Sequence, residues 1–124
     1  MKDILIVDNS LVIRKVIGKL IEETELKGST VHQAENGKDA LACLENHNPS
    51  IIFLDINMPE MNGFEFLESF KEDKRFEETS VIIVSTEGDP ERDKQLAEMG
   101  IAGKLVKPIK PARFKELVES VAGC

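Results

Sequence analysis

Three short runs of apolar residues constrain the fold more than any other feature of this 124-residue sequence. They occupy residues 4–7, 51–54 and 81–84, are rich in β-branched side chains, and each is followed by a polar residue. A strand that is apolar on both faces is typical of the centre of a parallel sheet, where helices cover both sides. The runs therefore predict three central strands of an α/β domain.

Segments with helical periodicity separate these strands. In the first helix the apolar residues recur at the spacing of one helix face, and Ser10 is the expected N-cap. That predicted stripe contains Ile13, Val16, Ile17, Leu20 and Ile21. Two weaker strands, over residues 29–34 and 102–106, are more polar and are expected at the sheet edges. Five alternations of strand and helix predict a doubly wound, five-stranded parallel sheet with helices on both faces.

The composition argues against two classes of protein, nucleic-acid binders and membrane proteins. The net charge of -7 argues against a general nucleic-acid or membrane-surface binder, since both need a basic face. No apolar run approaches the ~18 residues of a membrane span. Cys43 and Cys124 lack metal-ligand spacing and suggest a reducing compartment; Cys43 is expected to fill space in the core. We expect one cytoplasmic domain over residues 1–124, with no direct nucleic-acid binding and no membrane insertion.

The polar residues at the carboxyl ends of the predicted strands form a chemically coherent set. They are Asp8, Asn9, Asp55, Ser85, Thr86 and Lys107. In a doubly wound sheet these strand ends meet in one crevice. Two carboxylates ~5 Å apart repel by about 3 kcal/mol at an effective dielectric constant near 20, so either a cation lies between them or one of them takes up a proton. Lys107 and a magnesium ion would provide the positive charge, and Asp55 would be the nucleophile of a phosphoryl-transfer site.

Four motifs resemble those of two-component response-regulator receiver domains, and single-domain chemotaxis regulators are the closest in size. The motifs are Val7-Asp8-Asn9-Ser10, Leu54-Asp55-Ile56-Asn57-Met58-Pro59, Val84-Ser85-Thr86-Glu87 and Val106-Lys107-Pro108. They span essentially the whole chain in the order and at the spacings of that family. The resemblance implies a flavodoxin-like sheet with the strand order 2-1-3-4-5.

The resemblance also implies a role for each site residue. Asp55 would accept a phosphoryl group from a sensor histidine kinase or a phosphotransfer protein. Asp8 would hold Mg²⁺ through water, and Asn57 would offer its backbone carbonyl to the metal. Asn9 stands where the family usually has an acidic metal ligand, so its amide would coordinate without adding charge.

The remaining roles concern the phosphoryl group and the change in conformation that it would cause. Ser85 would turn its hydroxyl toward the phosphoryl group, Thr86 would line the entrance, and Lys107 would pair with the phosphoryl oxygens. The Lys107-Pro108 peptide bond would be cis. Such a protein is a phosphoacceptor with self-catalysed phosphoryl transfer and autodephosphorylation, not an enzyme acting on other molecules.

Two surfaces are expected to bind partners. In the first helix, Leu11, Arg14, Lys15 and Gly18 are predicted to lie opposite the buried stripe, on the side that in the family meets the phosphodonor. The downstream target is expected on the face formed by the fourth helix, fifth strand and fifth helix. There Lys104 replaces the family's usual aromatic residue and, with Lys110 and Arg113, predicts a basic surface for an acidic partner segment.

Three other functions fit a fold of this kind, and the residues leave only the first of them open. A pseudo-receiver would bind proteins without using phosphorylation, and only Asn9 favours it. A magnesium-dependent phosphatase needs a general acid two residues after the nucleophile, where Asn57 cannot serve. A flavin-binding electron carrier needs a hydroxyl- and glycine-rich phosphate loop, which Asp8-Asn9-Ser10-Leu11 does not provide. Because Gly123-Cys124 follows the last helix without a linker, we expect a stand-alone domain.

Overall fold

The computed structural model describes residues 3–56, 61–86 and 90–122, and their architecture is a parallel sheet between two layers of helices. The strands are β1 (Asp3–Val7), β2 (Thr30–Ala34), β3 (Ile51–Asp55), β4 (Ser80–Ser85) and β5 (Gly103–Val106). They form one sheet in the order β2-β1-β3-β4-β5. The predicted order is confirmed, with the three apolar strands at the centre and the two more polar strands at the edges.

The five predicted helices are all present and cover both faces of the sheet. They are α1 (Leu11–Glu22), α2 (Gly37–Leu44), α3 (Gly63–Phe70), α4 (Pro90–Glu98) and α5 (Pro111–Ala122), and a 3₁₀ helix spans Lys74–Glu78. α1 and α5 cover one face, where Phe53 stacks on Phe114 with ring centroids 5.3 Å apart. The other three helices cover the second face, around Phe66 and Phe70. The side chains of each central strand alternate between these two cores, which explains why the runs are wholly apolar.

Local signals in the sequence set the helix starts. The Ser10 hydroxyl accepts a hydrogen bond from the Ile13 amide at 3.3 Å, as its N-cap position predicts. Asn62 and Glu65 form a capping box at α3, with hydrogen bonds of 2.9 and 3.2 Å. Gly100 takes a φ of 86° after α4, a conformation that favours glycine. Asp89, the predicted cap of α4, lies outside the described residues.

The predicted faces of α1 need two corrections. Val16, assigned to the buried stripe, is 38% exposed, whereas Arg14, assigned to the opposite surface, is only 7% exposed. Arg14 lies three and seven residues before Ile17 and Ile21, which is the spacing of their own helix face. The charge of arginine suggested an exposed position, but backbone and amide oxygens near the carboxyl ends of β1 and β2 satisfy its guanidinium.

Candidate functional site

Asp8, Asp55 and Lys107 meet at the carboxyl ends of the central strands. In the parallel register Val7 pairs with Leu54, so the two aspartates emerge at the same level of the sheet. The Lys107 ammonium nitrogen lies 3.1 Å from Asp8 Oδ2 and 3.6 Å from Asp55 Oδ2. Asp8 and Asp55 are 1% and 3% exposed, so this lysine bridges two carboxylates that are almost fully removed from water.

The charges of this cluster favour a further cation. One ammonium facing two carboxylates leaves a negative charge in a poorly solvated place. Asp8 Oδ2 has its ion-pair contact with Lys107, but it makes no hydrogen bond of acceptable geometry with the described residues. A buried carboxylate oxygen with remaining acceptor capacity is a suitable ligand for a hard divalent ion such as Mg²⁺. The donor set therefore fits the predicted metal.

Backbone and side-chain contacts hold Asp8 in place from three sides. Its amide donates to the Ala34 carbonyl at 3.1 Å, and its Oδ1 accepts from the Ser10 amide at 2.8 Å. Arg14 Nη1 donates to the Asp8 carbonyl at 2.6 Å, and Arg14 Nε donates to Gln33 Oε1 at 2.9 Å. Sequence reasoning missed this role for Arg14, although its spacing within α1 contained the signal.

Ser85 presents a buried hydroxyl to the same end of the sheet. It is the last residue of β4 and is fully buried, and its Oγ has no hydrogen-bond partner among the residues that the structure describes. The Lys107 amide donates to the Ser85 carbonyl at 2.8 Å, which ties the serine and the lysine together through the backbone. A buried hydroxyl without a partner is costly, so Ser85 can donate a hydrogen bond to a group that binds at this end of the sheet.

The other predicted site residues are less enclosed. Asn9 and Thr86 are exposed, and each directly follows a buried residue of the cluster. Asn57, predicted to offer its backbone carbonyl to the metal, lies outside the described residues. The Lys107-Pro108 peptide bond is cis, as expected.

A close approach of α3 positions the end of β3. The Gly63 amide donates to the Ile56 carbonyl at 3.0 Å. A Cβ at Gly63 would collide with the Asp55 carbonyl oxygen and would lie 2.9 Å from Ile56 Cα. Only glycine fits this contact without displacing the backbone of Asp55.

A groove of about 470 Å³ adjoins the cluster along β5 and the start of α5. It is lined by Lys104, Leu105, Val106, Lys107, Pro108, Lys110 and Arg113. The three predicted basic residues are thus brought together. Lys104 is not a free surface charge, however, because its ammonium contacts Asp93 Oδ2 of α4 at 2.7 Å. Sequence reasoning missed Asp93, since nothing local indicates which residue of α4 faces β5.

The chain is similar to known proteins over nearly its whole length. The family model of the response regulator receiver domain matches residues 4–119. A chemotaxis protein CheY homolog of Campylobacter jejuni subsp. jejuni (strain 81-176) is 34% identical over 121 residues, covering 97% of this chain and 92% of the relative. The two-component response regulator ORR3 of Oryza sativa subsp. indica is 35% identical over 119 residues, covering 95% and 88%.

Solved structures give the same result. The chemotaxis response regulator CheY4 of Vibrio cholerae is 30% identical, with a TM-score of 0.85 over 98% of both chains. A CheY-like receiver domain protein of Methanospirillum hungatei is 26% identical, with a TM-score of 0.84 over 97% of this chain and 92% of that one. Within the described ranges, every helix is too short or too polar to cross a bilayer.

Proposed function

Because the chain belongs to the response regulator receiver family, we propose that it is a signalling switch that accepts a phosphoryl group on Asp55. The donor would be a sensor histidine kinase or a phosphotransfer protein. The observation that carries the proposal is the buried Asp55 carboxylate, which shares the Lys107 ammonium with Asp8 at 3.6 and 3.1 Å. Members of this family are signalling proteins, so the output would be binding to another protein.

In the proposed reaction, an Asp55 carboxylate oxygen attacks the phosphorus of a phosphohistidine. An O–P bond forms, the N–P bond breaks, and the imidazole nitrogen of the donor keeps the electron pair and takes up a proton. Lys107 would neutralise charge on the transferred phosphoryl oxygens. Mg²⁺, when bound, would supply further positive charge, and Asp8, Asn9, Asp55 and the Asn57 carbonyl would hold it. Arg14 and Ser10 would act indirectly, by fixing the position of Asp8.

The proposed conformational signal starts at Ser85. Its hydroxyl lacks a partner among the described residues and lies at the end of the strand next to β3. A phosphoryl oxygen on Asp55 would accept a hydrogen bond from it, and this would pull the end of β4 toward the site. Thr86, exposed beside Ser85, would line the entrance through which the donor reaches Asp55.

The proposed donor surface is the exposed side of α1. Leu11, Val12 and Val16 are all exposed there, and Lys15 is exposed beside them. Arg14 no longer belongs to this surface. We expect Leu11→Ala to reduce phosphoryl transfer from the kinase while labelling by acetyl phosphate stays unchanged. If Leu11→Ala reduced phosphorylation by the kinase and by acetyl phosphate equally, Leu11 would support the structure of the phosphorylation site and would not belong to the docking surface.

The proposed output surface is the groove along β5 and α5. Lys110 is exposed and has no ion-pair partner in the described part of the chain, whereas Lys104 is held by Asp93. Arg113 contacts Glu116 at 3.3 Å, an exposed pair that water and salt screen. An acidic partner segment would therefore meet Lys110 first. We expect its affinity to fall with added salt and in Lys110→Glu, and affinity insensitive to both would remove this groove from the output surface.

Intact-mass measurement with acetyl phosphate and Mg²⁺ tests the phosphorylation itself. The wild-type chain should gain one phosphoryl group, Asp55→Asn should gain none, and Asp39→Asn, which changes an exposed aspartate of α2, should behave as the wild type. An unchanged gain in Asp55→Asn would disprove the assignment. No gain in the wild-type chain would favour a pseudo-receiver, the reading to which the neutral Asn9 gives some support.

A further inference from the structure

Both histidines of the chain and one of its two cysteines lie together beside the edge strand β2. His32 belongs to β2, Cys43 to α2, and His47 follows α2. One ring nitrogen of each histidine and the Cys43 sulfur all lie within 4.8 Å of one another. None of the three takes part in the phosphoryl-transfer site proposed above.

The fold brings these residues together from separate segments. His32 pairs with Leu5 in the sheet, which places both on the face that α2 covers. The His47 amide donates to the Cys43 carbonyl at 3.1 Å, so the turn after α2 returns His47 toward the strand. The two imidazole rings stack with centroids 3.9 Å apart.

Arg75 fixes this turn from outside. Its Nη1 donates to the Leu44 and His47 carbonyls, at 3.0 Å in both cases, and Asp73 orients the guanidinium through a 2.7 Å contact. The backbone that carries His47 is therefore held before any ligand arrives. A backbone that is already held in place lowers the entropic cost of binding a ligand at His47.

The burial of one ring nitrogen in this cluster has no explanation within the described residues. His32 Nε2 is inaccessible to solvent and has no hydrogen-bond partner among the described residues. The buried nitrogen belongs to a ring that stacks on a second imidazole, in a cluster that also contains a cysteine sulfur. Burial and then the charge of Asp3 raise the pKa of the Cys43 thiol, so the thiol keeps its proton until a metal ion displaces it.

We propose that His32, Cys43 and His47 form a binding site for a zinc-class transition metal ion, with the fourth coordination position open to solvent. Two imidazoles and one thiolate are borderline-soft donors that suit Zn²⁺ and are poor ligands for Mg²⁺. In a tetrahedral zinc site the donor atoms lie about 3.4–3.6 Å apart, so the exposed His47 ring would rotate out of its stack on His32 to turn its nitrogen toward the ion. Binding replaces the thiol proton, which leaves for solvent, by an S–Zn bond. His47 is exposed and offers the entry path.

The test is a titration of the full chain with Zn²⁺, and with Co²⁺ as a spectroscopic substitute, in saturating Mg²⁺. We expect one equivalent of either ion to bind, with Co²⁺ giving the absorption of a tetrahedral site and a thiolate-to-metal charge-transfer band. Cys43→Ser should abolish that band. His47→Gln should weaken zinc binding at least about tenfold, since even residues outside the first coordination sphere are worth that much.

Two control variants separate this site from others. Cys124→Ser changes the other cysteine, Asp55→Asn changes the carboxylate cluster, and neither should alter zinc affinity. Because His47 is exposed, His47→Gln should fold normally, as circular dichroism would verify. The proposal is wrong if the wild-type chain does not bind Zn²⁺, if binding survives both Cys43→Ser and His47→Gln, or if Cys124→Ser or Asp55→Asn abolishes it.

Discussion

Replacing Lys107 by methionine tests whether its ammonium holds the carboxylate cluster together. Methionine keeps most of the length of the side chain but removes the charge. The distances of 3.1 and 3.6 Å from Nζ put the two carboxylate oxygens at most about 6.7 Å apart. At an effective dielectric constant near 20, their repulsion is then at least about 2.5 kcal/mol when the lysine no longer compensates it.

The attraction between Lys107 and the carboxylates is also lost in the variant. Part of this loss is offset, because the variant no longer has to remove an ammonium group from water. Removing one partner from a buried ion pair typically costs about 3–5 kcal/mol, and we expect Lys107→Met to cost about 3 kcal/mol because the lysine keeps 19% exposure. For a domain of this size that loss lowers the melting temperature by about 10 °C.

The assay is urea unfolding of the wild-type chain, Lys107→Met and Lys110→Met, with and without Mg²⁺. Lys110 is exposed in the same segment, so its variant should change stability by less than about 0.5 kcal/mol. Mg²⁺ should stabilise Lys107→Met more than the wild type, since the metal replaces the missing charge. Adding Asp8→Asn to Lys107→Met should restore stability, because it removes the repulsion.

Two results would refute this reasoning. If Lys107→Met unfolds at the same urea concentration as Lys110→Met, the ammonium does not stabilise the cluster. If Asp8→Asn destabilises the Lys107→Met protein further, repulsion between the carboxylates is not the cause of the loss.

Three further predictions concern single residues. Asn9→Asp should tighten Mg²⁺ binding by about 1–3 kcal/mol in a metal titration, because it adds a charged ligand; equal or weaker affinity would remove Asn9 from the metal site. Gly63→Ala should lower the free energy of unfolding by about 1–3 kcal/mol and slow phosphorylation, since its Cβ displaces the Asp55 backbone; unchanged stability and rate would contradict the contact. The Arg75 guanidinium lowers the pKa of Asp73 to about 2, so its stabilising effect is present above pH 3.8 and is lost as the pH falls toward 2. Arg75→Gln should return this pKa toward 3.8 in an NMR titration, and an unchanged value would assign the shift to another cause.

The sequence alone determined the sheet and the composition of its carboxyl edge. Residues 4–7, 51–54 and 81–84 are apolar on both faces, and a strand of that kind is stable only when helices cover both sides. Once those strands are parallel and central, the polar residues after them must share one edge. The convergence of Asp8, Asp55 and Ser85 was therefore predictable, and Lys107 follows the fifth parallel strand at the same edge of the sheet.

Only the tertiary structure decided contacts whose two partners lie on different elements. Arg14 turns inward because oxygen atoms of Asp8 and Gln33 meet its guanidinium. Lys104 is neutralised by Asp93 because α4 packs with that side toward β5.

The cluster of His32, Cys43 and His47 is the clearest case. Sequence spacing gave no metal motif, because its ligands come from a strand, a helix and the turn after that helix, and none of these segments specifies the other two. Side-chain type and periodicity report how much of a residue is buried. The identity of its neighbours depends on the angle and register at which whole elements pack, and only the folded chain fixes these.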